Sequence, residues 1–189
     1  SVLSSWEYKD IFNSTGGERD SDVTPFCDWM YGVDVNALTE TSCEDIDYIF
    51  CDANGNVVEI QLSGRALKGN LPASFSLFTK LEKLYLGDNQ ITGALPEAIW
   101  TSPDLNTLSI SKNFFTGSIA CPTHSEPKLK TVSLSQNSFS GDFPVCIFTN
   151  APKLQFISLN YLDLDDAAIP PEIMYATELV SFSAIHAGL

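Results

Sequence analysis

A unit of 24 residues recurs through about two thirds of this chain, and it narrows the possible folds more than any other feature. It is clearest in Leu81-Glu82-Lys83-Leu84-Tyr85-Leu86-Gly87-Asp88-Asn89-Gln90-Ile91-Thr92-Gly93-Ala94-Leu95-Pro96, which reads L-x-x-L-x-L-x-x-N-x-φ-T-G-x-φ-P with φ apolar. Successive units open at Val57, Leu81, Leu105, Leu129 and Leu154, the last two being one residue longer. A sixth opens at Leu179 and stops at Leu189. The fourth position reads Ile60, Leu84, Leu108, Val132, Ile157, Phe182, and the sixth reads Leu62, Leu86, Ile110, Leu134, Leu159, Ala184. Two apolar columns two residues apart face one side of a short strand. One unit is too small to bury that side alone, whereas a stack of units buries it continuously.

A fixed period carrying L-x-x-L-x-L-x-x-N marks a leucine-rich-repeat solenoid. The expected fold is an α/β right-handed superhelix with a parallel sheet on its concave face and a cysteine-containing amino-terminal cap. Residues 1–56 form the cap, 57–178 the five full repeats, and 179–189 a truncated sixth repeat or the start of a carboxyl-terminal cap. Asn89, Asn113 and Asn137 share the ninth position, where a side-chain amide can pair backbone groups that the ending strand leaves open. Gly69, Gly93, Gly117 and Gly141 share another register, which suits a bend that a side chain would crowd. Pro72, Pro96 and Pro144 follow at the sixteenth position and suit a rigid, extended outer segment.

The second half of the repeat discriminates further. Thr92-Gly93-Ala94-Leu95-Pro96 and Ser140-Gly141-Asp142-Phe143-Pro144 resemble the plant-specific subclass of leucine-rich repeats. That subclass fills the ectodomains of plant receptor kinases and polygalacturonase-inhibiting proteins, and similar repeats occur in surface antigens of some protists. Val2-Leu3-Ser4-Ser5-Trp6, Cys27-Asp28-Trp29 and Gly32-Val33 resemble the family's cap, as does Cys51-Asp52-Ala53-Asn54-Gly55-Asn56-Val57-Val58 at its end. An insertion from Asp34 to Phe50 separates the two halves of that motif. The resemblance implies a Cys27–Cys51 bond, with Cys43–Cys51 as its rival. The chain begins inside what resembles a cap helix, so a removed leader is expected; it ends midway through a coil, and because an open solenoid end needs a cap, a fragment, a trimmed chain or one part of an assembly is expected.

Charge and cysteines bear on the compartment and on partners. The net charge is −14, and residues 1–56 carry 12 acids against two bases. Nucleic acid and anionic membrane surfaces favour lysine and arginine, so neither is an expected partner. No stretch approaches the roughly 18 apolar residues that cross a bilayer, so no direct membrane insertion is expected. The acidic cap suits solubility, or else docking of a basic partner or calcium. Five cysteines and one N-glycosylation signal at Asn13 suggest an extracellular or cell-surface protein. Cys121 and Cys146 occupy neighbouring registers of adjacent coils, within disulfide reach.

Chemistry is sparse. His124 and His186 lie in different coils, away from acids or cysteines at ligand spacing, and no nucleophile elbow, P-loop or zinc-protease motif occurs. The chain reads as non-catalytic, with no metal and no cofactor expected. Asp163, Asp165 and Asp166 read as a solvated loop, and Asp52 to Asn56 as a turn before the first strand. The outward strand positions define the candidate ligand surface: Glu59, Gln61, Lys83, Tyr85, Asp88, Thr107, Ser109, Thr131, Ser133, Phe156, Ser158, Asn160 and Tyr161. They form a field of small hydroxyls between Tyr85 and Lys83 at one end and Phe156, Asn160 and Tyr161 at the other. Hydroxyls bond peptide backbone, and aromatic side chains make interface hot spots. The expected function is binding of a protein or peptide ligand on the concave face. The alternatives are a scaffold that self-associates through its open carboxyl-terminal end and an inhibitor of a secreted glycan-degrading enzyme.

Overall fold

The structure is a computed structural model that describes residues 48–54, 56–71, 75, 78–100, 102–122, 128–165 and 169–187. Asn13, Cys27, Cys43, His124 and Asp166 lie outside the described residues. Each coil opens with a short strand carrying the first half of the repeat. These are β2 (Val57–Gln61), β4 (Lys83–Tyr85), β6 (Thr107–Ser109), β8 (Thr131–Ser133), β10 (Phe156–Ser158) and β12 (Ser181–Ser183). They pair in parallel at matching repeat positions, so Glu59, Lys83, Thr107, Thr131, Phe156 and Ser181 stand side by side. β1 (Ile49–Cys51) joins β2 antiparallel and makes the sheet seven-stranded. The inward columns are sealed: Ile60, Leu84, Leu108, Val132 and Ile157 are buried, as are Leu62, Leu86, Ile110, Leu134 and Leu159.

The ninth-position asparagines hold the stack together. Asn113 accepts a bond from Ile91 N (3.0 Å) in the preceding coil and donates to Leu86 O (2.9 Å) and Ile110 O (3.1 Å). Asn137 does the same one coil on, with Phe115 N, Ile110 O and Leu134 O. Asn89 accepts from Arg65 N and Leu67 N and donates to Leu62 O and Leu86 O. Each amide therefore satisfies the coil before it as well as its own, leaving no buried backbone group there to pay the desolvation cost. The first repeat has no need of its own asparagine, because Asn89 serves it. The residue just before this position is left-handed in every coil: Gly64, Asp88, Lys112, Gln136, Tyr161 and His186 have φ between 53° and 67°.

A second parallel sheet, which the repeat pattern does not announce, runs through the second half of each unit. Its strands are β3 (Lys68–Asn70), β5 (Gln90–Ala94), β7 (Phe114–Gly117), β9 (Ser138–Asp142) and β11 (Asp163–Asp165). Here neighbours are offset by two repeat positions, so Asn70 lies beside Thr92 and Thr116 beside Ser138. The Thr92 hydroxyl donates to Asn70 Oδ1 at 2.7 Å across that offset. The recurrent glycines belong to these strands rather than to a crowded bend. A Cβ on Gly117 or Gly141 would meet nothing closer than 3.8 Å, whereas their φ values of 84° and 90° disfavour any other residue. At Gly93 space also decides, because a Cβ there would come within 2.6 Å of Asn70 Oδ1.

The outer segment is helical where extended chain is expected. α1 (Glu97–Trp100) follows Pro96, α2 (Cys146–Asn150) follows Pro144 and Val145, and a 3-10 turn (Pro171–Tyr175) follows Pro170. Proline's fixed φ of about −65° suits a first helical turn as well as extended chain. Ile99, Trp100, Ile147 and Phe148 then bury their side chains from that side. Inside, Phe115 and Phe139 stack from adjacent coils with centroids 6.1 Å apart. Cys121 and Cys146 are joined by a disulfide with Cα atoms 5.7 Å apart, as their registers predict. Cys51 is also disulfide-bonded, and the choice between Cys27 and Cys43 as its partner lies outside the described residues.

Candidate functional site

Strand alternation turns the third, fifth and seventh positions of each repeat away from the core and onto the concave face. Strand pairing places Gln61, Tyr85, Ser109, Ser133, Ser158 and Ser183 in one row, directly beside the row that starts at Glu59. All the sequence-predicted ligand residues lie among the described residues, and the sheet brings its members into two contiguous columns. Asp88 and Tyr161 sit at the lip, where the left-handed turn leaves each strand and both side chains are exposed.

The hydroxyl field is less open than its composition suggests. Ser111 and Ser133 share a hydrogen bond of 2.7 Å between their hydroxyls, as do Ser135 and Ser158. Thr107 donates to Asn106 Oδ1. Asn160 Oδ1 accepts from Ser183 Oγ (2.8 Å) and Ile185 N (2.7 Å), so it brackets the fifth and sixth coils. The cause is spacing: strands about 4.8 Å apart bring serines on neighbouring strands within bonding reach. Glu59 and Lys83 neutralise each other at 2.9 Å. Burial pushes the Glu59 carboxyl up, but hydrogen bonds from Gln61 and Lys83 outweigh it and hold the group below its ordinary value. The same contact raises Lys83. Among the described residues, Tyr85, Asp88, Ser109, Thr131 and Phe156 keep side chains with no such partner.

The two ends differ in character. At the carboxyl end three large apolar side chains of the last two coils, Phe156, Tyr161 and Ile185, are 44%, 54% and 57% exposed. His186 stacks on Tyr161 with ring centroids 5.3 Å apart. At the amino end lies a cavity of about 410 Å³ lined by Tyr48, Gln61, Ser63, Arg65 and Tyr85. Sequence reasoning missed Tyr48 and Arg65. Tyr48 sits in the inserted segment, and antiparallel β1 carries it to the concave edge, where its carbonyl accepts from Gln61 N at 2.8 Å. Arg65 reads in sequence only as a break in the asparagine column, and that break was the signal.

Asp52 uses both carboxylate oxygens within its own turn, accepting from Asn54 N, Asn56 N and Asn56 Nδ2 at 2.9 Å each. Those bonds, led by the Asn56 side chain, hold its carboxyl below the usual range. Asp163 and Asp165 belong to edge strand β11 of the second sheet rather than to a loop. Among the described residues, no group of three or more histidine, cysteine or acidic side chains could hold a metal ion, and no helix is long and apolar enough to cross a membrane.

This geometry matches known proteins. Residues 80–102 and 128–150 match the family described as Leucine Rich Repeat. Over 147 residues the chain is 30% identical to the receptor-like kinase TMK2 of Arabidopsis thaliana, an alignment covering 78% of this chain and 14% of that protein. The chain thus spans a small part of that relative's length. Among solved structures, the leucine-rich-repeat ectodomain of the receptor kinase SOBIR1 from Arabidopsis thaliana superposes with a TM-score of 0.66 at 24% identity, over 82% of this chain and 92% of that one. The BIR3–SERK2 complex from the same plant gives 0.65 at 26% identity, over 91% and 86%. The chain is a leucine-rich-repeat protein, similar in sequence and fold to the ectodomains of plant receptor kinases.

Proposed function

We propose that this chain is the recognition part of an extracellular or cell-surface protein and binds a protein or peptide partner across its concave sheet. The observation that carries the reading is the exposure of three large apolar side chains in the last two coils, Phe156, Tyr161 and Ile185, alongside a continuous row of outward polar positions. Large aromatic groups at a solvent boundary supply contact area at low entropic cost. The likeness to BIR3–SERK2, named as a complex between two proteins, supports a partner of protein nature. The Cys121–Cys146 disulfide suits an oxidising compartment. The surface acts by binding, without catalysis.

Selection of displayed random peptides on the wild-type protein tests this. Peptides so selected are expected to bind Phe156→Ala and Tyr161→Ala at least tenfold more weakly, which is about 1.4 kcal/mol. Peptides indifferent to both changes, but lost on Thr116→Arg at the outer face of the second sheet, would move the site off the concave face.

A second reading rests on the last coil, where Met174, Tyr175, Val180 and Ile185 are exposed. Copies of the chain that stack through strand β12 would cover them. Light scattering across a concentration series would show mass rising with concentration, and a constant monomer mass would dismiss it.

A further inference from the structure

We infer that the cavity at the amino end of the concave face binds the carboxylate of a peptide ligand. Arg65 has left the stack interior because Asn89, from the next coil, already bonds its backbone N and that of Leu67. Its guanidinium carbon instead lies 3.8 Å from the centroid of the Tyr48 ring. A guanidinium held this close over a ring face is restrained in position, and its N–H donors remain able to bond an anion at its edge. None of the three ion pairs among the described residues uses Arg65, and Glu59, the acid on the neighbouring strand, is committed to Lys83. A restrained fork of N–H donors without an anion is complementary to a planar carboxylate, which it can hold through two parallel bonds.

The rest of the lining fits the same ligand. The Tyr48 and Tyr85 rings offer apolar walls, while Gln61 and Ser63 can each donate or accept a bond. The volume of about 410 Å³ lies in the range of small-ligand sites and is large enough for one side chain with its carboxylate. The chain's charge of −14 does not forbid an anion here. At physiological salt the screening length is about 8 Å, so a cation in direct contact outweighs distant acids.

A peptide carboxylate has two sources, the chain terminus and an acidic side chain. The probes are N-acetylphenylalanine, with a terminal carboxylate; N-acetylglutamylphenylalaninamide, with a side-chain carboxylate; and N-acetylphenylalaninamide, with none. NMR titration should show saturable shifts of the Arg65 Nε–H signal and of the Tyr48 and Tyr85 ring signals with at least one of the first two, and not with the third. The responding probe names the source. Arg65→Gln should weaken that response at least tenfold, and Arg65→Lys, which keeps charge but loses the fork, should weaken it by a smaller factor. Equal shifts from the uncharged probe, silence from all three, or an unchanged response in Arg65→Gln would overturn the assignment. The inference deepens the concave-face reading by naming the chemistry at one end of it. The two fail separately, because peptide loss on Phe156→Ala reports the opposite end of the sheet.

Discussion

Asn113 shows how much one side chain can decide in a stacked fold. It is 5% exposed and bonds three backbone groups drawn from two coils. Asn113→Leu keeps the branched shape with bulkier methyl groups, strands one buried N–H and leaves two carbonyls a donor short, so a loss of about 2–4 kcal/mol is expected in urea unfolding. A loss below about 1 kcal/mol would mean that water replaces the amide. Its neighbour Lys112 tests the left-handed turn. At φ 59° a β-branched side chain is strained and glycine is not. Lys112→Gly should therefore change stability by less than about 1 kcal/mol in either direction, while Lys112→Val should cost roughly 1–2 kcal/mol. The asparagine role was legible in the sequence because three identical residues in one register demand one local explanation. The left-handed position was not, since Asp88, Lys112, Gln136 and Tyr161 share no chemistry. What they share is backbone geometry, imposed by the turn that follows each strand.

Coils are also tied to one another by contacts that repeat at a fixed register. Lys80, Asp104 and Lys128 close three successive repeats, and Asp104 accepts from Lys128 Nζ at 2.6 Å and Lys80 Nζ at 3.3 Å. The Lys128 hydrogen bond leads in holding the Asp104 carboxyl below its ordinary value, against the opposing effect of burial. A carboxyl with its folded pKa depressed stabilises the fold above its unfolded pKa, about 3.9, and loses that contribution as pH falls through the folded value. Asp104→Asn should thus be less stable than wild type at pH 7, and the gap should close on acidification below that folded value. A gap independent of pH would assign the effect to packing. The Cys121–Cys146 bond ties coils three and four across 25 residues, so Cys121→Ser with Cys146→Ser should lose about 3 kcal/mol in thermal or urea unfolding. Register arithmetic foresaw that disulfide. It did not foresee the second sheet, because Gln90–Ala94 and its counterparts each bury at most one side chain, too little alternation to read as strands. Stacking supplies the parallel neighbours that local sequence does not encode.

Across the concave sheet each strand pairs only with its neighbours, although inside the solenoid Phe182 of the sixth coil reaches Phe143 and Phe148 of the fourth; the concave face is a one-dimensional array whose two ends are energetically independent unless one ligand spans them. The array was legible from the period alone, column by column, because translation along the solenoid axis preserves register. Its chemistry was less legible: whether Ser133 and Ser158 greet a ligand or bond Ser111 and Ser135 depends on strand spacing and rotamer, not on residue type. The ends therefore carry the sharper test. Tyr85 on β4 and Phe156 on β10 are three strand spacings apart, about 14 Å at 4.8 Å per strand. At that separation, with no shared contact, their effects on binding should add to within about 0.5 kcal/mol. For a peptide long enough to cover the sheet, Tyr85→Ala and Phe156→Ala should each weaken binding by roughly 1–3 kcal/mol, and the double variant by their sum. Calorimetric titration of the four proteins with the selected peptide decides the matter. Loss confined to Phe156→Ala would place the ligand on the apolar end alone, loss confined to Tyr85→Ala would place it on the Arg65 cavity, and a strongly non-additive pair would show that the partner, or the sheet itself, couples the two ends.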